Sequence, residues 1–85
     1  RLGFAYVDRN QTLNSWNVTG LFSGSDAETN GLKIDDKILS VNGISVDQID
    51  YESQADFFKD LDFVKLLVDR NGEQKEIEFK LQYIQ

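Results

Sequence analysis

Gly31-Leu32-Lys33-Ile34-Asp35-Asp36-Lys37-Ile38-Leu39-Ser40-Val41-Asn42-Gly43 is the stretch that decides the fold of this chain. Lys37 to Val41 reads as a compact apolar strand, with Ile38, Leu39 and Val41 as its packing residues. Asn42-Gly43 reverses the chain tightly, because both residues accept the left-handed backbone that a two-residue hairpin turn demands. Ile44, Ser45 and Val46 then form a very short returning strand. Gly31 supplies the backbone freedom needed to leave a preceding helix. All these residues carry the fold, and function only indirectly.

Upstream, Trp16, Val18 and Leu21 alternate with Asn17 and Thr19, a second strand pattern that Ser23, Gly24 and Ser25 interrupt. Ser25 is placed to cap a short helical turn through Asp26, Ala27, Glu28 and Thr29, which Asn30-Gly31 ends. At the start, Leu2, Phe4 and Tyr6 alternate with Gly3, Ala5 and Val7, a first short strand, and Asp8 to Ser15 is a long polar loop. Downstream, Ser53 reads as a helix N-cap with Asp56 three positions on. The helix is expected to run to about Leu61. Gln54, Phe58 and Leu61 share one stripe, and Phe57 lies on an adjoining side as the expected core contact. Phe63 to Arg70 and Lys75 to Tyr83 flank Asn71-Gly72, the strongest hairpin signal in the chain. Ile77, Phe79 and Leu81 alternate with polar neighbours, so one face of that hairpin is dry and the other wet. The sum is about six strands and two helices, an α+β pattern dominated by sheet.

Composition bounds the rest. Eighty-five residues make a single domain, 1–85, because so short a chain cannot fill a second core. The absence of a charged leader, an apolar stretch and an initiator Met gives the expectation of an excised domain or mature fragment. No apolar run approaches the roughly 20 residues that cross a bilayer, so membrane insertion is not expected. Cysteine and histidine are both absent, which removes disulfides, thiolate nucleophiles, soft-metal sites and the commonest general base. It leaves the redox compartment open. Nine basic residues against fifteen acidic ones give a net charge of −6. Nucleic acid needs a basic stripe and is therefore excluded as a partner. An anionic membrane surface is disfavoured for the same reason.

Other chemistries fit these residues poorly. Two carboxylates working as a glycosidase pair need to converge in a sizeable cleft, which an 85-residue domain with surface-alternating acids does not offer. Asp69, Asn71 and Glu73 have the spacing that begins a calcium loop, but Ile77 and Phe79 follow in strand register, so a hairpin is expected. Asn17-Val18-Thr19 matches a glycosylation sequon inside an expected strand, where short matches arise by chance. No cofactor motif is present.

The decisive stretch closely resembles the "A-x-x-A/N-G-L-x-x-G-D-x-I-L-x-V-N-G" signature of PDZ domains. Ser23-Gly24-Ser25-Asp26-Ala27-Glu28 resembles that family's "x-G-S-P-A-E" approach to its first helix, and Arg1-Leu2-Gly3-Phe4 resembles its "G-L-G-F" carboxylate-binding loop. The resemblance runs over nearly the whole chain in the right order. It implies a PDZ-like, partly open β-barrel or sandwich of five to six strands with one short and one longer helix. Three positions depart from the pattern. Asp35 stands where glycine is usual, and Asp tolerates left-handed geometry, so the turn is expected to survive. Asp26 replaces a proline, and Arg1 replaces the first glycine of the binding loop. With no strand before the loop and two after the helix, the order resembles the circularly permuted PDZ domains of bacteria, which are found appended to envelope proteases.

What the resemblance implies is peptide capture by strand addition. An extended C-terminus would pair along Phe4, Ala5, Tyr6 and Val7, beside a helix presenting Gln54, Phe58 and Leu61. The backbone N–H groups of Leu2, Gly3 and Phe4 would hold the terminal carboxylate, an anion nest that uses no charged side chain. Gly3 is expected there because a Cβ would crowd the ligand. The last side chain would enter a pocket lined by Leu2, Phe4, Tyr6, Phe58 and Leu61. The implied partners are a peptide or protein C-terminus and a neighbouring protease domain of the parent chain, with the domain itself a non-catalytic monomer needing no cofactor. A periplasmic or envelope location rests on the resemblance alone. The same apolar residues also read as ordinary core, and Phe58 is bulky enough to plug the pocket, so an internal regulatory or scaffolding domain with an occluded groove stands as the alternative. Gln54 leaves side-chain selectivity unassigned. The acids Asp47, Asp50, Glu52, Asp56, Asp60 and Asp62 read as a solvated face that would, at most, favour basic ligands.

Overall fold

The computed structural model describes residues 3–7, 16–49, 53–59 and 61–81, apart from the side chain of Ala55. Six strands and two helices follow in the order β1 (Phe4–Val7), β2 (Trp16–Leu21), α1 (Asp26–Thr29), β3 (Lys37–Val41), β4 (Ile44–Ser45), α2 (Gln54–Lys59), β5 (Phe63–Arg70) and β6 (Glu73–Lys80). They form one antiparallel sheet, ordered β1-β2-β3-β5-β6, with β4 paired to β3. The sheet is open: among the described strands, β1 and β6 are each paired on one side only.

The two hairpins explain much of this order. Asn42 and Gly43 have φ of 52° and 83°, and Asn71 and Gly72 have 56° and 86°, so both turns carry two left-handed residues and match the twist of their strands. Asn42 also ties β3 to β5, since its Oδ1 accepts from the Lys65 amide at 2.8 Å while its own amide donates to the Lys65 carbonyl at 2.9 Å. In the second turn the Gly72 amide donates to Asp69 Oδ1 at 2.9 Å, so Asp69 closes a hairpin there. Along β5 and β6, Val64 pairs with Phe79 and Leu66 with Ile77, and all four are buried. Trp16, Val18, Ile38 and Val41 complete the dry face of the sheet.

Helix α1 is fixed at both ends. Ser25 Oγ accepts from the Glu28 amide at 3.2 Å, and Glu28 Oε1 accepts from the Gly24 amide at 2.8 Å, a variant of the reciprocal cap. At its end Gly31 takes φ of 103°, the Leu32 amide donates to the Ala27 carbonyl, and the Gly31 amide donates to that of Glu28. That is the Schellman arrangement. Asp35 adopts φ of 78°, as expected of an Asp in the place of glycine. Its amide donates to the Val18 carbonyl at 2.9 Å, and the Asp36 carbonyl accepts from the Val18 amide at 2.9 Å, which locks this loop to β2.

The Asp36 side chain, 1% exposed, was not singled out by the sequence. Its two oxygens accept from Arg70 Nε at 2.8 Å and Nη2 at 2.7 Å, and Oδ2 also accepts from the Lys33 amide at 2.9 Å. Arg70 Nη2 reaches the Gly31 carbonyl as well, at 2.8 Å. Burial pushes the Asp36 carboxyl up, but the hydrogen bonds from Arg70 and the Lys33 amide, with the charges of Arg70 and Lys33, outweigh it and hold the group below its ordinary value.

The structure moves several boundaries. The returning strand β4 is only Ile44–Ser45, because Val46–Gln48 turns into a 3-10 helix that buries Val46. The last strand begins at Glu73, so the turn is as short as a hairpin allows. Helix α2 ends at Lys59, and Leu61 follows in an irregular segment whose amide donates to the Phe58 carbonyl. Phe57 packs half-buried against the core, as expected, but Phe58 is the more deeply buried of the two, and their rings meet edge-on at 5.3 Å.

Candidate functional site

Strand β1 has four residues with alternating fates. Phe4 is buried, Ala5 and Val7 are exposed, and Tyr6 lies between. Its pairing with β2 runs Phe4 to Leu21, Ala5 to Gly20, Tyr6 to Val18 and Val7 to Asn17, so the register slips past Thr19. A bulge of this kind bends a strand and re-aims the side chain beside it, here Tyr6. The opposite edge of β1 carries no partner among the described strands.

Gly3 precedes β1 with φ of 86°. Its carbonyl accepts from the Phe22 amide at 3.0 Å, which continues the ladder beyond the strand. The need for glycine has a source the sequence did not reveal. A Cβ at this position would stand 3.1 Å from Ser25 Cβ and 3.6 Å from Ala27 Cβ, so α1 packs directly against the loop. Leu2 lies outside the described residues.

Helix α2 faces β1 through side chains that meet. Tyr6 Oη donates to Gln54 Oε1 at 2.7 Å, and Gln54 is only 6% exposed. The Tyr6 ring stacks on Trp16 at 4.6 Å with 15° between planes. Phe58, 7% exposed, sits 6.3 Å from Tyr6 and 6.0 Å from Trp16, ring centre to ring centre. Phe4 joins the cluster at 5.9 Å from Tyr6 and meets Phe79 edge-on at 6.0 Å. Leu61 packs half-buried against the same core. Gly3, Phe4, Tyr6, Gln54, Phe58 and Leu61 thus fall in one region with α2 over β1, and Ala5 and Val7 point outward. Trp16 forms the floor under Tyr6, a role that the sequence, which marks it only as a strand residue, does not announce. Its inward phase was the available signal.

Electrostatics around this region are plain. Asp47, Asp56 and Asp62 are exposed, and Asp50, Glu52 and Asp60 lie outside the described residues. On the far face, Glu76 and Glu78 line a shallow depression with Phe63, Lys65 and Leu67, and Lys65 Nζ approaches Glu76 at 3.8 Å. These two acids stand on an exposed strand face, not in a cleft. Among the described residues no cluster of acidic side chains is placed to hold a metal ion, and no helix is long and apolar enough to cross a membrane.

The family model of the PDZ domain matches residues 1–69. No curated protein matches the chain. Among solved structures, a PDZ domain protein from Parabacteroides distasonis is similar with a TM-score of 0.80 at 22% identity, over 94% of this chain and 19% of that one. The PDZ domain of EpsC from Vibrio cholerae is similar with a TM-score of 0.66 at 19% identity, over 92% of this chain and 91% of that one. A variant of the HtrA-type protease AlgW, with a decapeptide, is similar with a TM-score of 0.76 at 17% identity, over 95% of this chain and 28% of that one. At these identities the likeness is one of fold. The chain spans a fifth to a third of the length of the first and last of these proteins, and nearly the whole of the EpsC domain.

Proposed function

The chain belongs to the PDZ domain family, and from that premise we propose that it captures an extended peptide, entering by its C-terminus, as an added strand along β1. The observation that carries this reading is the edge of Phe4–Val7, uncharged, paired only with β2 among the described strands, and overlooked by α2. An outer strand of a sheet is a template for another chain. The amides of Leu2, Gly3 and Phe4 hold the terminal carboxylate, and Ala5 to Val7 extend the ladder. The left-handed φ of Gly3 supports this, since a turn of the backbone there lets successive N–H groups converge on an anion.

The domain itself does no chemistry in this reading. It serves as the substrate-recognition or regulatory part of a bacterial protease, whose catalytic domain lies elsewhere in the parent chain. The likeness to the HtrA-type protease with its decapeptide favours that assignment. A second reading, an internal regulatory domain with no free ligand, draws on the Tyr6–Gln54 bond and the buried Phe58, which tie α2 to the strand beside the edge.

The test is a screen of C-terminal peptides as free acids and as amides, followed by backbone amide NMR shifts. Free-acid-dependent binding that perturbs residues 3–7 is the expected result. Equal binding of acids and amides, or perturbation confined to β5 and β6, overturns the proposal.

A further inference from the structure

The chain holds the dipeptide Asn-Gly three times, at 30–31, 42–43 and 71–72, and all three asparagines are exposed. Asparagine is a thermolabile residue. Its side-chain carbonyl carbon lies within reach of the next backbone nitrogen, and a following glycine, with no Cβ, leaves that approach open. By sequence the three sites are equivalent. The fold makes them different. Asn30 Nδ2 donates to the Asp26 carbonyl at 2.8 Å, and the Gly31 amide donates to the Glu28 carbonyl at 3.1 Å. Asn42 is held at both ends of its side-chain amide, with Oδ1 accepting from the Lys65 amide at 2.8 Å and Nδ2 donating to the Phe63 carbonyl at 3.5 Å. The Asn71 side chain makes no hydrogen bond to any described residue. In the same turn the Gly72 amide donates to Asp69 Oδ1 at 2.9 Å. The attacking nitrogen must shed that hydrogen, so a proton acceptor already stands in place.

From this difference we infer that Asn71 is a site of spontaneous covalent modification in the folded protein, converting to aspartate and isoaspartate while Asn30 and Asn42 are protected. The Gly72 nitrogen bonds to Asn71 Cγ, and its proton goes to Asp69. The Cγ–Nδ2 bond breaks, and the departing nitrogen takes up a proton in turn and leaves as ammonia. Water then opens the cyclic imide at either carbonyl. Opening on one side gives aspartate. Opening on the other gives isoaspartate, whose main chain runs through the former side chain and is longer by one carbon. That insertion falls in a turn whose two left-handed residues, with φ of 56° and 86°, match the twist of their strands. It lies next to Arg70, which holds Asp36. The new carboxylate also stands between Asp69 and Glu73 in a chain whose net charge is already −6. Conversion thus marks the age of the folded chain and loosens the end of the β5–β6 hairpin, whatever β1 binds.

The test incubates the chain at mildly alkaline pH, folded and in guanidinium chloride, and follows each asparagine by proteolysis and mass spectrometry. In the folded chain Asn71 should convert about tenfold faster than Asn30 or Asn42, since one net hydrogen bond corresponds to roughly that factor in rate. Isoaspartate should be among the products, the signature of the cyclic imide. In denaturant the three sites should convert alike. Equal rates in the folded chain, or no conversion at 71, would show that the fold does not single out this turn. A preference for 71 that persists in denaturant would belong to local sequence, and aspartate without isoaspartate would mean direct hydrolysis. Each of these results overturns the proposal. Asp69→Asn keeps an oxygen that can close the turn but removes the basic carboxylate. It should slow conversion at 71, and an unchanged or faster rate would reduce Asp69 to a brace and remove it from the reaction.

Discussion

The sheet has two outer strands, and the chain treats them differently. On β6, Glu73, Lys75, Glu76, Glu78 and Lys80 alternate with or flank the buried Ile77 and Phe79. Lys75 Nζ lies 3.5 Å from Glu73, an exposed pair of little energetic weight. On β1, Phe4-Ala5-Tyr6-Val7 has no charge at all. Long exposed edges invite other strands, and proteins defend them with charged side chains. The β6 strand carries such charges, whereas β1 is short, uncharged and, among the described strands, paired only with β2. The difference teaches that the two outer strands carry opposite charge patterns, and that the uncharged one is where the proposed pairing would occur.

The largest expected effect would erase both edges together. Asp36 joins the β2 side of the sheet, through the Val18 amide, to Arg70 at the end of β5. Asp36→Ala leaves Arg70 without its carboxylate and should cost about 3–5 kcal/mol, the range for breaking a buried pair. Urea denaturation checks this, and a loss under about 1 kcal/mol would show the pair to be incidental. The acid limb carries the same information. Because the folded carboxyl titrates below its ordinary value of about 3.9, its contribution is whole above that value and disappears as pH falls through the lowered folded value. Stability of the unaltered chain should therefore drop below about pH 4 more steeply than that of Asp36→Ala.

A smaller effect separates the edges. Gly3→Val places a β-branched residue at a left-handed φ, with its Cβ against Ser25, at a cost of about 1–3 kcal/mol. It should weaken free-acid peptide binding at β1 while hydrogen exchange in the β5–β6 hairpin stays as protected as before. Loss of protection in both would mean that the loop is a general fold element with no special tie to β1. The smallest effect on stability sharpens the contrast from the other side. Changing Glu76 and Glu78 to Thr should alter unfolding energy by no more than about 0.5 kcal/mol, yet sedimentation should reveal self-association through β6. A chain that stays monomeric would show that those charges do not guard the edge.

Much of the fold was legible because its signals are local. Both Asn-Gly turns, the cap at Ser25, the phase of β2 and the limits of β3 follow from residues within a few positions of each other. The Asp36–Arg70 pair was not legible, since the partners are 34 positions apart and Asp36 follows another Asp in what reads as a polar turn. The stripe of Gln54, Phe58 and Leu61 was found, but its depth was not. A helix of six residues is too short for periodicity to separate Phe57 from Phe58. A polar Gln54 gave no hint of burial, because its partner Tyr6 comes from the far end of the chain. The reason for Gly3 was likewise hidden in α1, which the sequence places more than twenty residues away.

Trp16 is the chain's one tryptophan, and its indole lies flat against the phenol of Tyr6, a side chain of the strand proposed to take a guest. Occupancy therefore has a built-in optical gauge. Light absorbed and re-emitted by that single fluorophore reports on the ring next door, so docking can be followed in unlabelled protein by the colour and brightness of its own emission.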